Sequence, residues 1–93
     1  MKTMTLKISK NFTVDEVAKF RETTYLAISK EQIHFDLDFS ECTFIDSTGL
    51  GVLVGFFKKC QETKSEMQLF GLNEDVKRII HMTRLDSVFD IRP

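Results

Sequence analysis

The chain has 93 residues, of which 42% are apolar, and its 13 basic and 14 acidic side chains give a net charge of −1. This size suits one small domain with one core, and the apolar content is typical of a globular chain rather than a disordered one. The near-neutral charge argues against a nucleic-acid groove or an anionic membrane surface as the partner.

No targeting or membrane segment is expected. The first residues lack the apolar stretch of a secretory signal, and the longest apolar run, residues 50–57, is far shorter than the roughly 20 residues of a membrane span. Cys42 and Cys60 follow no metal-ligand spacing and are expected to be reduced thiols. We therefore expect a cytoplasmic protein without membrane insertion, metal or cofactor.

The first third of the chain predicts a strand followed by a helix. Residues 4–9 alternate enough to form a short strand, and residues 10–11 suggest a turn. Thr13 followed three residues later by Glu16 predicts a capping box at the start of a helix over about residues 14–28. The buried side chains expected on this helix are Val14, Val17, Phe20 and either Leu26 or Ile28.

Residues 33–39 give the clearest strand, because apolar and polar positions alternate. The apolar positions are Ile33, Phe35, Leu37 and Phe39, and the polar positions are His34, Asp36 and Asp38. Such alternation predicts a sheet with helices on only one face. Side chains two apart on a strand lie about 7 Å apart, so the polar positions are expected to form a solvated face rather than a metal site.

The remaining elements complete a βαβαβαβ order. A helix is predicted over about residues 47–61, a strand over 67–70, a helix from the Asn73 cap to about Met82, and a strand over 88–91. The expected inward stripes are Leu50, Leu53, Val54 and Phe57 on the second helix, and Val76, Ile79, Ile80 and Thr83 on the third. This order predicts an α/β fold with parallel strands joined by right-handed crossovers, in a single domain spanning residues 1–93.

The junction between residues 44–46 and the second helix is the main candidate site. Ser47 stands where unpaired backbone N–H groups favour negative charge, so it is either a helix cap or a phosphate acceptor. If the neighbouring Asp46 is the cap, the Ser47 hydroxyl is free, and the carboxylate can orient it toward a nucleotide phosphate.

Other chemistries fit this junction poorly. A nucleophile elbow needs glycine two residues either side of the serine; Gly49 fits, but Ile45 occupies the earlier position. No histidine is clearly placed as a base, and the Gly-Lys-Ser/Thr ending of a Walker loop is absent. We expect no catalytic residue and no enzyme.

Three glycines in the second helix need a cause, because each costs roughly 0.5–1 kcal/mol relative to alanine in a helix interior. Packing of the helix on the sheet is expected to explain Gly55. For Gly49 and Gly51, internal packing and close approach of a partner protein both remain open. Asp38 lies nearest to the carboxyl end of its strand, where binding sites gather in open parallel sheets.

A family resemblance rests on two segments. Residues 36–40, Asp-Leu-Asp-Phe-Ser, and residues 43–51, Thr-Phe-Ile-Asp-Ser-Thr-Gly-Leu-Gly, strongly resemble the signature of STAS domains, particularly the bacterial anti-sigma factor antagonists. Residues 72–80 look like that family's third helix. The chain departs from the pattern in having one predicted strand before the first helix, instead of two strands and a Gly-x-Leu-Asp turn. It also has Arg84 where glycine is usual.

The resemblance implies a small, mostly parallel sheet with helices packed on one face, and a partner-switching role. In that family the unphosphorylated protein binds an anti-sigma factor that is also an ATP-dependent serine kinase, phosphorylation ends the binding, and a serine phosphatase restores it. By position, the acceptor is Ser47 and the supporting residue is Asp46. The implied partner contacts are Asp38, Asp46, Ser47, Thr48, Gly49 and Gly51. The alternative is an unmodified STAS-like subunit that docks on a lipid-transport ATPase.

Overall fold

The computed structural model describes residues 1–93, with six strands, three α-helices and one 3₁₀ turn. In chain order they are β1 (Lys2–Lys7), β2 (Asn11–Phe12), α1 (Val17–Ile28), β3 (Ile33–Asp38), β4 (Phe44–Ile45), α2 (Ser47–Thr63), β5 (Glu66–Phe70), α3 (Glu74–Met82), the 3₁₀ turn (Leu85–Ser87) and β6 (Asp90–Ile91). The helices fall short of the length and apolar character that crossing a bilayer requires.

The main sheet has four strands in the order β1-β3-β5-β6, and every neighbouring pair is parallel. Its register sets Met4 beside Phe35 and Leu6 beside Leu37, so the apolar positions share one face. The short strands β2 and β4 form a separate parallel pair. The predicted parallel α/β fold is therefore confirmed, although β2 and β4 add two strands to the predicted order.

The core lies on the apolar face of the sheet, under the helices. Phe56 of α2 packs edge-to-face on Phe35 of β3, with ring centroids 4.8 Å apart, and on Phe20 of α1 at 5.6 Å. The apolar positions of β3 are buried, whereas its polar positions are only half-buried. The prediction that helices cover only one face of the sheet is therefore confirmed.

The first helix begins later than predicted. Residues 13–16 form a turn in which the N–H groups of Glu16 and Val17 donate to the carbonyl oxygen of Thr13, at 2.8 and 3.1 Å. Glu16 makes no side-chain capping bond, so the predicted capping box is wrong. Val14, predicted to be buried, is 62% exposed. The cause is a tertiary contact, because the Val14 N–H donates to Asp46 from 32 residues away.

The N-terminal region shows one further difference, and it resolves one open alternative. Asn11, predicted to lie in a turn, belongs to β2 and pairs with Phe44. Of the two alternatives for the end of α1, Ile28 is the buried residue and Leu26 is 60% exposed.

The buried stripe of α2 is rotated from the predicted one. Leu53 is buried as predicted, but Leu50, Val54 and Phe57 are only partly buried. The buried positions are Gly49, Leu53, Phe56 and Cys60. Phe56 packs between α1 and β3, and this contact determines the side of α2 that faces the sheet.

The C-terminal elements follow their predictions more closely. Asn73 caps α3, since its side-chain oxygen accepts the Val76 N–H at 2.9 Å. Val76 and Ile80 are buried, but Thr83 is exposed and bonds back to helix carbonyl groups. The last strand is shorter than predicted, because the N–H groups of Val88 and Phe89 donate back to the Leu85 carbonyl oxygen at 3.0 and 2.8 Å.

Candidate functional site

Asp46 is the residue before α2, and its carboxylate joins two parts of the chain. The Oδ1 atom accepts the Gly49 N–H at 2.8 Å and thereby caps the helix. The Oδ2 atom accepts the Val14 N–H at 3.3 Å. One side chain therefore holds the start of α2 against the turn that precedes α1.

Ser47 is the first residue of α2 and is exposed. Its hydroxyl makes no hydrogen bond within the protein, because Asp46 already provides the cap. The first turn of the helix still presents N–H groups that favour a negative charge. Ser47 is therefore not the helix cap, and its role as a phosphate acceptor stays a prediction. Thr48 is exposed beside it.

Two exposed apolar side chains border this junction, and the sequence reasoning missed both. Val14, whose N–H binds Asp46, is 62% exposed, and Phe44, two residues before Asp46, is 48% exposed. The sequence does indicate that Phe44 is exposed, because side chains alternate along β4 and the neighbouring Ile45 points inward and is buried. Nothing local in the sequence indicates that Val14 faces outward.

The three glycines of α2 have different surroundings. A Cβ atom at Gly49 would collide with the carbonyl oxygen of Phe12, so β2 itself requires glycine there. At Gly51 no atom lies within 4 Å of such a Cβ, and the residue is exposed. At Gly55 the nearest atom is the Tyr25 hydroxyl at 3.9 Å, so the predicted packing constraint at Gly55 is wrong.

These surroundings separate Gly49 from Gly51. Gly49 is buried and serves internal packing, which corrects its expected place among the partner contacts. Gly51 has no internal reason to be glycine and lies one helical turn from Ser47. The exposed residues around Asp46 form what we call the Ser47 surface: Val14, Phe44, Ser47, Thr48 and Gly51.

Asp38 lies at the carboxyl end of β3 but is not drawn into this junction. Its Oδ1 atom accepts the Ser40 N–H at 2.9 Å, and this bond holds the pKa of the Asp38 carboxyl below its usual value. No hydrogen bond connects it to Asp46, Ser47 or Thr48. Its role in the structure is to fix the turn after β3.

The uncovered face of the sheet carries a histidine held by two carboxylates. His34 bonds Glu66 on β5 through Nδ1 at 2.9 Å and Asp36 through Nε2 at 2.8 Å. The hydrogen bond to Glu66 raises the pKa of His34, and the bond to Asp36 adds to the rise against the opposing effect of burial. Both ring nitrogens are engaged, so this cluster leaves no free imidazole nitrogen to bind a metal.

Both cysteines are buried within the core. Burial raises the pKa of Cys60 to about 12, and it also raises the pKa of Cys42. Because the thiolate is the reactive form, neither side chain is an effective nucleophile near neutral pH.

Comparison with known proteins gives consistent matches. The STAS domain family model matches residues 2–93. The anti-sigma-B factor antagonist of Listeria monocytogenes is 38% identical over 74 residues, which cover 80% of this chain and 65% of the relative. This chain therefore spans slightly less than two thirds of that relative's length.

Two solved structures have similar folds. A candidate anti-sigma factor antagonist from Thermotoga maritima superposes with a TM-score of 0.84 at 26% identity, covering 96% of this chain and 77% of the other. The phosphorylated form of the Bacillus cell fate determinant SpoIIAA gives a TM-score of 0.76 at 15% identity, covering 99% of this chain and 84% of the other. At that identity, the likeness to SpoIIAA concerns the fold alone.

Proposed function

The chain belongs to the STAS domain family, and from that membership we propose that it is a partner-switching regulator controlled by phosphorylation of Ser47. In this proposal the unphosphorylated form binds an anti-sigma factor that is also a serine kinase. Phosphorylation ends the binding, and a serine phosphatase restores it. The observation that carries the proposal is the free, exposed Ser47 hydroxyl at the start of α2, beside a cap supplied by Asp46.

The physical switch is a change of charge on a surface that otherwise stays the same. A phosphate adds about −1.5 to −2 charges and three acceptor oxygens. In the free protein the helix N-terminus tolerates this charge, with a gain of about 0.3–1 kcal/mol from the helix dipole. In a complex the phosphate has to be desolvated at a partner surface that is shaped for a hydroxyl. This desolvation is costly when the partner offers no matching hydrogen-bond donors.

The cost needed for switching is modest. Weakening a complex a thousandfold requires only about 4 kcal/mol. Val14 and Phe44 make this effect stronger, because their exposed side chains exclude water around Ser47 once a partner docks. An unmatched phosphate at the centre of such a contact is therefore enough to release the partner.

Asp46 supports the reaction by position in this proposal. Its carboxylate fixes the first turn of α2 and the turn at Val14, so the Ser47 hydroxyl is presented on a rigid element. Thr48 and Gly51 complete the contact surface. Asp38 remains a proposed contact at the sheet edge. The chain itself supplies no catalytic group or cofactor in this role, and it acts in the cytoplasm beside the kinase.

Phosphorylation by a purified kinase tests the proposal directly. The protein is incubated with the anti-sigma factor kinase and ATP, and intact-mass and fragment spectra locate the phosphate. We expect one phosphate on Ser47, none on a Ser47→Ala variant, and normal labelling of the matched control Thr48→Ala. Label on Thr48, or no label at all, would contradict the assignment.

Binding of the same variants provides the second half of the test. Ser47→Ala should bind the kinase in the presence of ATP as tightly as the unmodified protein binds without it. Ser47→Asp should bind more weakly, because its negative charge mimics part of the phosphate. If both variants bind a transporter ATPase equally and the kinase ignores them, the alternative of an unmodified docking subunit is correct.

A further inference from the structure

The outer edge of β1 is unpaired, because β1 lies at the end of the main sheet and bonds only to β3. At about 3.3 Å per residue, this six-residue strand offers an edge about 20 Å long. Natural sheets usually protect such edges with charges, prolines or bulges, since an open edge pairs readily with another strand. In β1 the lysines stand only at the two ends, Lys2 and Lys7, and the middle of the strand is uncharged.

A groove follows this edge between β1 and α1. One part, of about 450 Å³, is lined by Lys2, Met4, Glu22, Thr23, Leu26, Ala27, Lys30, Glu31 and Ile33. The other part is lined by Leu6, Lys7, Ile8, Ser9, Phe12, Glu16, Lys19, Phe20 and Thr23. Because Thr23 borders both parts, the groove runs along the whole strand. Leu26 stands in it as an apolar side chain that is 60% exposed.

We propose that β1 pairs in antiparallel fashion with β1 of a second copy of this chain, about a two-fold axis that passes midway between the two Thr5 residues. This pairing joins the two four-stranded sheets into one, with the helices of both copies on the same face. It is self-complementary, as a two-fold interface has to be.

The register follows from the side-chain pattern of β1. Met4 and Leu6 face the helices, and Thr3, Thr5 and Lys7 face the other side. Residues directly opposite each other in an antiparallel pair point to the same face. With Thr5 opposite Thr5, Met4 of one copy meets Leu6 of the other, and Thr3 meets Lys7. Apolar residues then meet apolar ones, and no two lysines face each other.

Each end of the groove carries charges of both signs. Glu16 and Lys19 lie at one end of the groove, and Lys30 and Glu31 lie at the other. An antiparallel arrangement brings the first end of one copy to the second end of its mate. Each end then meets an end that contains both lysine and glutamate, so no two ends of like net charge are opposed.

The dimer leaves the switching surface free. Ser47 follows the carboxyl end of β4, which belongs to the separate β2–β4 pair and not to the edge that β1 offers. Antiparallel pairing places the carboxyl ends of the two main sheets at opposite ends of the joined sheet. Each copy can therefore carry its own phosphate. This proposal does not depend on phosphorylation, and either one can fail alone.

Site-specific cross-linking tests the register. Opposed residues in an antiparallel pair have Cα atoms about 4.5–5.5 Å apart, which suits a disulfide. Thr5→Cys should therefore form a covalent dimer with oxidised glutathione as the electron acceptor. The matched control is Thr3→Cys, exposed on the same face of β1, whose two copies would lie more than about 10 Å apart. Cys42 and Cys60 are buried and do not compete.

We expect Thr5→Cys to cross-link at least about tenfold faster than Thr3→Cys, since only the first residue meets itself across the axis. Equal rates, or no cross-linking of either variant, would overturn the proposed register and with it the dimer.

Sedimentation equilibrium of the unmodified chain tests the association itself. The mass should rise with concentration from 10.8 kDa toward twice that value. Leu26→Glu should keep the protein monomeric without unfolding it, because Leu26 is exposed in the single chain. Met82→Glu, at a residue 73% exposed on α3, should associate normally. A protein that stays at 10.8 kDa up to about 1 mM, a concentration at which even weak complexes form, would refute the proposal.

Discussion

At the scale of single residues, Gly49 and Gly51 offer a matched test of why glycines occur in α2. Gly49→Ala places a methyl group against the Phe12 carbonyl and should destabilise the protein by about 1–3 kcal/mol, as overpacking does. Gly51→Ala enters open space and should stabilise it by up to about 1 kcal/mol, because alanine favours helix. Urea unfolding of both variants measures the difference, and equal effects would contradict it.

The same pair separates stability from binding. If Gly51 is glycine because a partner approaches it closely, Gly51→Ala should weaken binding of the kinase while the free protein becomes more stable. Titration calorimetry with the kinase gives the affinity. An unchanged affinity would remove Gly51 from the proposed Ser47 surface.

The residues that the sequence predicted correctly are those whose signal is local. Asn73 is a cap because its own side chain reaches the Val76 N–H three residues on, which is a short-range geometry. Gly49 and Gly55 have the same local context, and only the position of β2 distinguishes them. For Ser47, the bond between Asp46 and Gly49 excludes the cap, whereas phosphate acceptance stays a prediction.

At the scale of elements, the bridge from His34 to Glu66 links β3 to β5 across the uncovered sheet face. The bridge raises the pKa of His34 in the folded protein above the ordinary value of 6.5. A raised folded pKa means that the bridge stabilises the fold fully below about pH 6.5, and that this contribution is lost as pH rises through the folded pKa.

His34→Gln should therefore lower the urea midpoint more at pH 5.5 than at pH 8.5. The matched control is His81→Gln, because His81 bonds Asp86 in a pair that is largely exposed and well screened. We expect little change for that control at either pH. A difference between wild type and His34→Gln that does not vary with pH would show that the bridge does not act through the imidazolium.

Elements were predictable from the sequence to the extent that their own residues determine them. The alternation of β3 identified both the strand and its buried face, because every second residue contacts the core. The start of α1 was not predictable, because its Thr13 and Glu16 signal is overruled by the long-range bond from Val14 to Asp46. The pairing of β2 with β4 is equally non-local, and two-residue strands carry almost no periodicity.

At the scale of the whole molecule, phosphorylation should change binding without changing the fold. A phosphate at the start of α2 gains up to about 1 kcal/mol from the helix dipole, which in a domain of this size raises the melting temperature by at most about 4–8 °C. Calorimetry of the phosphorylated and unmodified protein measures this shift. A large fall in melting temperature would mean that the switch acts by unfolding instead of by surface charge.

Because Asp46 caps α2, the side chain at the next position is not needed to start the helix. Evolution and protein engineers can therefore alter residue 47 independently of folding. A series of side chains at that single site, from alanine through glutamate, should give a graded set of affinities for the partner on one unchanged scaffold. Such a series would set how strongly a signalling circuit responds.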